Sequence, residues 1–183
     1  MTKHAPCTIW LTGLSAAGKT TLAFALAEAL TARGLDCEVL DGDVIRQTLF
    51  RDLGFSAQDR SENARRVAMR CRELNDHGVM AIAALISPYR ADRTTARHVI
   101  GEERFVETFM STSLTVCEAR DPKGLYRKAR AGEITNLTGI GDVYEVPLAP
   151  DLTFDSSVLS IEESVNVALE LIGASNRVVA SSR

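Results

Sequence analysis

The segment Gly13-Leu14-Ser15-Ala16-Ala17-Gly18-Lys19-Thr20 fits the phosphate-loop pattern G-x-x-x-x-G-K-[ST]. Such a loop needs glycine where the backbone bends tightly, so that successive N–H groups point inward at phosphate oxygens. Lys19 supplies a mobile positive charge for the outer phosphates, and Thr20 offers a hydroxyl to Mg2+. The helix that begins there adds its own anion-binding end. Candidate contacts to a phosphate chain are therefore Gly13, Ser15, Ala16, Ala17, Gly18, Lys19, Thr20 and Thr21, with Thr20 as the metal-facing residue.

The flanks have the order this chemistry requires. Thr8-Ile9-Trp10-Leu11 is an apolar, strand-like run, and Leu22, Leu26 and Leu30 then recur at intervals of four until Gly34 offers a left-handed stop. Cys37 to Leu40 reads as a second strand that runs into Asp41-Gly42-Asp43. Carboxylates at the C-terminal end of a parallel strand sit on the ligand side of such a sheet. Asp43, just before Val44-Ile45-Arg46, also fits a helix N-cap.

Farther along, Ser56-x-x-Asp59 resembles a capping box that opens a long helix with Ala64, Val67, Ala68, Cys71 and Leu74 on its apolar face and Gly78 at its end. Arg60 and Asn63 share its first turn and one side, where a helix meets an anion. Arg65, Arg66, Arg70 and Arg72 read as a solvated face. Val79 to Ile86 is a continuous apolar run suited to a central strand buried on both faces. A short helix is expected over about Arg93 to Ile100, strands over Phe105 to Met110 and Leu152 to Phe154, and a last helix capped by Ser160 and Glu163. Strands alternating with helical segments predict one α/β domain over residues 1–183, a doubly wound and mainly parallel sheet of about five strands. A frayed tail is expected from Ala174 to Arg183.

Composition narrows the function classes. The 183 residues carry a net charge of −3, with 45% hydrophobic and 25% charged residues. A broad basic face for nucleic acid is excluded on that balance, so any anion site is a local cluster. Cys7, Cys37, Cys71 and Cys117 form no C-x-x-C pair, which suggests idle thiols in a reducing compartment. Met1 to Cys7 lacks the apolar core of a signal peptide, and no run is long enough to span a bilayer, so a cytoplasmic protein without membrane contact is expected.

Several segments together resemble adenylyl-sulfate kinase. They are Gly13-Leu14-Ser15 with the loop, Leu40-Asp41-Gly42-Asp43 with Arg46, Leu53-Gly54-Phe55-Ser56 through Asn63, Ile86-Ser87-Pro88-Tyr89-Arg90-Ala91-Asp92-Arg93, Arg120-Asp121-Pro122-Lys123-Gly124, and Thr138-Gly139-Ile140 before Tyr144-Glu145. The resemblance implies phosphorylation of the 3′-hydroxyl of adenosine 5′-phosphosulfate, with ATP as donor and Mg2+ beside it. It implies catalytic roles for Lys19, Asp43 and Ser87, and an ATP adenine near Arg120. Asp43, Arg46, Phe55, Arg60, Asn63, Ile86, Ser87, Lys123, Asn136 and Leu137 would hold the acceptor. A mobile basic lid over about 119–145, a homodimer and an ATP sulfurylase partner are implied as well.

Ser87 corresponds to a position associated in some relatives with a phosphoserine. Without an adjacent base, direct transfer between the two nucleotides is expected instead. Leu137 stands where the family usually has an aromatic ring stacked on the acceptor's adenine, and Gly141 replaces a common aspartate. Ser111 and Ser113 stand where Asp-x-Pro usually ends the fourth strand, and Ala16 replaces a frequent glycine. A related kinase with another acceptor, and a nucleotide-binding regulatory subunit without catalysis, are the competing readings.

Overall fold

A computed structural model describes residues 5–180 as one parallel sheet flanked by helices on both faces. β1 (Thr8–Gly13) leads through the loop to α1 (Lys19–Thr31), β2 (Cys37–Asp41), the short α2 (Gly42–Thr48) and the long α3 (Ala57–Asp76). β3 (Met80–Ala84), α4 (Arg90–Ile100), β4 (Phe105–Met110), α5 (Leu114–Arg120), α6 (Leu125–Arg130), β5 (Leu152–Phe154) and α7 (Ile161–Ala180) complete the order. The strands line up as β2-β3-β1-β4-β5, each pair parallel. All five C-terminal ends therefore face one edge, where ligands of open α/β sheets bind.

β1 lies at the centre and all six of its residues are buried, because helices cover both faces. Its side chains feed two separate cores by simple alternation. Ile9 and Leu11 pack with Leu22, Leu26 and Leu30 of α1 and with Val165 and Ile172 of α7. Trp10 points the other way, into Ala64, Val67, Ala68 and Leu74 of α3 and Ala96 of α4. Each fully buried leucine contributes roughly 2 kcal/mol of burial. Leu26, with no exposed surface, is thus one of the residues whose truncation would loosen α1 from the sheet.

The helix boundaries follow local chemistry. Ser56 Oγ accepts from the Asp59 amide at 3.1 Å while Asp59 accepts from the Ser56 amide at 3.2 Å, the expected capping box. Ser160 and Glu163 repeat it for α7. Gly34 and Gly78 close α1 and α3 at φ of +75° and +84°.

Some expectations need correction. β3 is Met80–Ala84, shorter than the apolar run around it, because Leu85 to Pro88 leave the sheet to line its edge. α4 starts at Arg90, a turn earlier than expected, and α5 arises from a Ser113 cap. α7 continues through Ala180, past the Ala174 where a tail was expected; residues 181–183 lie outside the described residues. Among the described residues no helix is long and apolar enough to cross a membrane. The thiols are all free, with Cys7, Cys71 and Cys117 buried.

Candidate active site

The phosphate loop leaves β1 at Gly13 (φ +149°), where a Cβ would lie 2.7 Å from the Met110 carbonyl oxygen. A side chain there would push the central strand away from its neighbour. Gly18 (φ +96°) caps α1 in the left-handed region, and Ala16 adopts φ +62° although it is not glycine. That conformation costs an alanine on the order of 1 kcal/mol. The loop is braced from behind. Ser156 Oγ donates to the Ala17 carbonyl at 3.0 Å, Thr112 Oγ1 bonds Ser156 Oγ at 2.9 Å, and Tyr126 OH donates to the Ser15 carbonyl at 3.0 Å.

Lys19 is only 8% exposed. Its ammonium donates to the Gly13 and Leu14 carbonyls at 2.9 and 2.6 Å, curled over its own loop. Burial, reinforced by the nearby Lys123 charge, pushes the ammonium down to about 8. Thr20 Oγ1 donates to Asp41 Oδ2 at 2.6 Å. Asp41 Oδ1 accepts from the Asp43 and Val44 amides at 3.0 and 3.4 Å, so Asp41 caps α2. The expected cap at Asp43 is thereby corrected: the helix begins at Gly42, directly after the strand, and places Asp43 in its first turn. There the exposed Asp43 carboxylate pairs with Lys123.

On the other side of α2, the Arg46 guanidinium lies 5.0 Å over the Phe55 ring and donates to the Gly54 carbonyl. Phe55 is 58% exposed, an aromatic face turned outward. Arg60 Nε donates to the Phe55 carbonyl at 3.1 Å and Nη2 to the Asn136 carbonyl at 2.9 Å. Asn136 Nδ2 returns to the Phe55 carbonyl at 3.2 Å, so the 53–56 and 136–142 segments meet across Arg60. One helical turn on, Asn63 is buried with an Oδ1 that finds no partner. A buried amide oxygen left unpaired costs about 1–3 kcal/mol, a cost that a ligand donor would relieve.

Ile86 and Ser87 floor this side. Ser87 is buried at φ +36°, its Oγ accepting from Trp10 Nε1 at 3.1 Å and its carbonyl from Arg93 Nη1 at 2.7 Å. Thr12 Oγ1 donates to the Ile86 carbonyl at 2.8 Å. Arg93 also grips Glu107 at 2.8 Å and the Glu145 carbonyl at 2.6 Å, tying the 142–146 segment to the floor.

These contacts describe a loop built for phosphates beside a second, arginine-lined side. The family model for adenylylsulphate kinase matches residues 5–155. The chain belongs to the adenylylsulphate kinase family. Adenylyl-sulfate kinase of Pseudomonas entomophila (strain L48) is 52% identical over 174 residues, 95% of this chain and 84% of its own. A Mycobacterium tuberculosis APS kinase, in complex with AMPPNP and APS, superposes with a TM-score of 0.89 at 43% identity, covering 92% of this chain and 98% of its own. A hexameric APS kinase from Thiobacillus denitrificans superposes at 0.70 and 33% identity, over 95% of this chain and 30% of its own.

Within this kinase fold, the structure places Gly13, Ser15, Ala16, Ala17, Gly18, Lys19, Thr20 and Thr21 together around one loop. It brings Arg46, Phe55, Arg60 and Asn136 into contact. Arg120 is bound to the Ala16 carbonyl at 3.3 Å and to Ser156 Oγ at 2.7 Å, against the loop itself. Leu137, next to Asn136, is 6% exposed and belongs to the buried cluster against which Leu14 and Ile140 pack. Residues 119–145 form the end of α5, then α6 and a run of turns, where a lid is expected. Arg65, Arg66 and Arg70 pair with Glu62, Asp52, Glu38 and Glu73, a solvated face as expected. The Asp41 clasp on Thr20, the Thr112–Ser156 brace and the Arg93 grip have no counterpart in the sequence-derived candidates. Only Asp41 had a signal available, its place at a strand end next to the glycine that starts α2.

Proposed function

We propose that this protein transfers the γ-phosphoryl group of ATP to the 3′-hydroxyl of adenosine 5′-phosphosulfate, releasing ADP and 3′-phosphoadenylyl sulfate. The observation that carries this reading is that one short helix joins both halves of the site. Asp41 at the cap of α2 holds Thr20 of the phosphate loop, and Arg46 in its last turn lies over Phe55 of the arginine-lined side.

In the reaction the acceptor's 3′-oxygen forms a bond to the γ-phosphorus as the bond to the bridging oxygen of ADP breaks. Charge spreads over the transferred group, and the loop amides with Lys19 stabilise it. Lys19 must uncurl from the Gly13 and Leu14 carbonyls to do so. Asp43 orients the 3′-hydroxyl and accepts its proton, which requires Lys123 to leave Asp43 for the phosphates. Arg46 and Arg60 hold the phosphosulfate, Asn63 supplies an amide to the acceptor, and Phe55 offers the exposed ring for its base. Ile86 and Ser87 shape the floor. The hydroxyl of Ser87 is engaged by an indole N–H and has no neighbouring base, which supports direct transfer over a covalent step. Arg120 lies near the donor's adenine, and the segment over 119–145 closes over both substrates.

Mg2+ fits the donor set, since Thr20 Oγ1 and Asp41 are hard oxygen ligands. Among the described residues no cluster of three or more His, Cys, Asp or Glu could cage a metal, so phosphate oxygens would complete the shell. When bound, the ion neutralises charge on the bridging and terminal phosphate oxygens. We place the enzyme in the cytoplasm, as a homodimer without nucleic-acid or membrane partners, its acceptor delivered by an ATP sulfurylase.

A coupled assay of ADP release with ATP and adenosine 5′-phosphosulfate tests the reading. Turnover that saturates in both nucleotides is expected. Failure to turn over at high acceptor concentration, while ATP still binds, would favour a related kinase with a different acceptor.

A further inference from the structure

Asp142 has no part in the chemistry set out above, yet it lies against an arginine which that chemistry needs. Its Oδ2 is 3.8 Å from Arg60 Nε, with side chains 26% and 9% exposed, and the same oxygen accepts from Tyr89 OH at 3.0 Å. Oδ1 accepts from the Val143 amide at 2.9 Å. The other Arg60 contacts are neutral carbonyls, those of Phe55 and Asn136.

The carboxylate is held there by the backbone. The amides of Ile140, Gly141 and Asp142 all converge on the Leu137 carbonyl at 3.0–3.2 Å, and the Gly139 amide bonds the Asp142 carbonyl at 2.8 Å. A Cβ at Gly141 would stand 1.9 Å from the Thr135 carbonyl oxygen, so in this chain the turn packs tightly on Thr135 because position 141 carries no side chain. The half-buried Tyr89 hydroxyl on one side and this turn on the other leave Asp142 little freedom to swing away.

An anion arriving at Arg60 therefore meets a fixed negative charge already there. We propose that Asp142 is an affinity-setting residue, a built-in counter-anion that holds Arg60 before the acceptor binds and competes with the acceptor's phosphosulfate for the guanidinium. The inference rests on the reaction proposed above, because that reaction is what brings an anion to Arg60.

Asp142→Asn tests it, since the amide keeps the size of the side chain and an oxygen for Tyr89 while removing the charge. The KM for adenosine 5′-phosphosulfate is expected to fall roughly fivefold, the scale of a partly exposed ion pair. The kcat and the KM for ATP should stay within about twofold. In an Arg60→Ala background the same change should leave the acceptor KM unmoved, which separates competition for Arg60 from a general loosening of the turn. Wild-type turnover together with an unchanged or raised acceptor KM in Asp142→Asn overturns this inference alone. Absence of wild-type turnover overturns the reaction itself, and with it the basis of the inference.

Discussion

The two halves of the site are built on opposite principles. On the donor side the groups belong to β1, the loop after it, α1 and the end of β2, and they join backbone amides to two side-chain groups, a buried ammonium and a clasped threonine. Braces from Thr112, Ser156 and Tyr126 fix that loop from behind. On the acceptor side the groups are long side chains, Arg46, Phe55 and Arg60, positioned by carbonyls of two loops that meet across Arg60 and through Asn136 on the Phe55 carbonyl. A rigid cradle suits the triphosphate, a flexible chain that must be held in one orientation for in-line transfer. The adjustable clamp suits an acceptor that must enter, align one hydroxyl and leave with a phosphate added.

Breaking the cradle should cost most. Lys19→Ala is expected to lower kcat by roughly 10²- to 10³-fold with the fold retained by circular dichroism, because charge on the transferred group loses its main cation. A loss smaller than about tenfold would mean the loop amides carry the donor side alone.

Breaking the clamp should be milder and one-sided. Arg60→Ala is expected to raise the acceptor KM about thirtyfold, ~2 kcal/mol, while the ATP KM stays put. Equal damage to both constants would contradict the division into two halves.

The two halves should also part in their response to pH. Free Lys19 loses its proton at about 8, whereas a bound phosphate favours the ammonium. Above that pH, nucleotide binding must take up a proton, so the Kd for ATP should rise, approaching about tenfold per unit. Titrations of ATP from neutral to alkaline pH would show it, and Lys19→Arg should flatten the curve. Smallest of all, Ser87→Ala should keep kcat within about fivefold while lowering Tm by a few degrees, since the Trp10 N–H loses its acceptor. Complete inactivity of a folded Ser87→Ala protein would restore the covalent alternative.

What the sequence made legible follows the same divide. The donor loop could be read in full because its chemistry is contiguous: two glycines, a lysine and a threonine at fixed spacing between a strand and a helix. The succession of strands and helices and the two capping boxes were equally local. The acceptor half was legible as a roster of residues only through family resemblance, because Arg60 and Asn136 are 76 positions apart and no periodicity announces their contact. The assignment of capping between Asp41 and Asp43 turned on where a seven-residue helix starts, a difference of two positions that propensity does not resolve. Leu137 was named only through the family's usual aromatic residue, and its burial beside the core could not be read from its neighbours in the sequence. The Arg93 grip on Ser87, Glu107 and Glu145 joins three separate segments, and only the folded chain could show it.

Trp10 is the only tryptophan in the chain, fully buried in the central strand with its indole N–H bonded to Ser87 at the sheet's C-terminal edge. The protein thus carries its own optical gauge, one fluorophore wired to a single floor residue and shielded from water. Its emission should start far to the blue and shift when the acceptor settles, so that loading of one half can be followed in real time, without a label and without turnover.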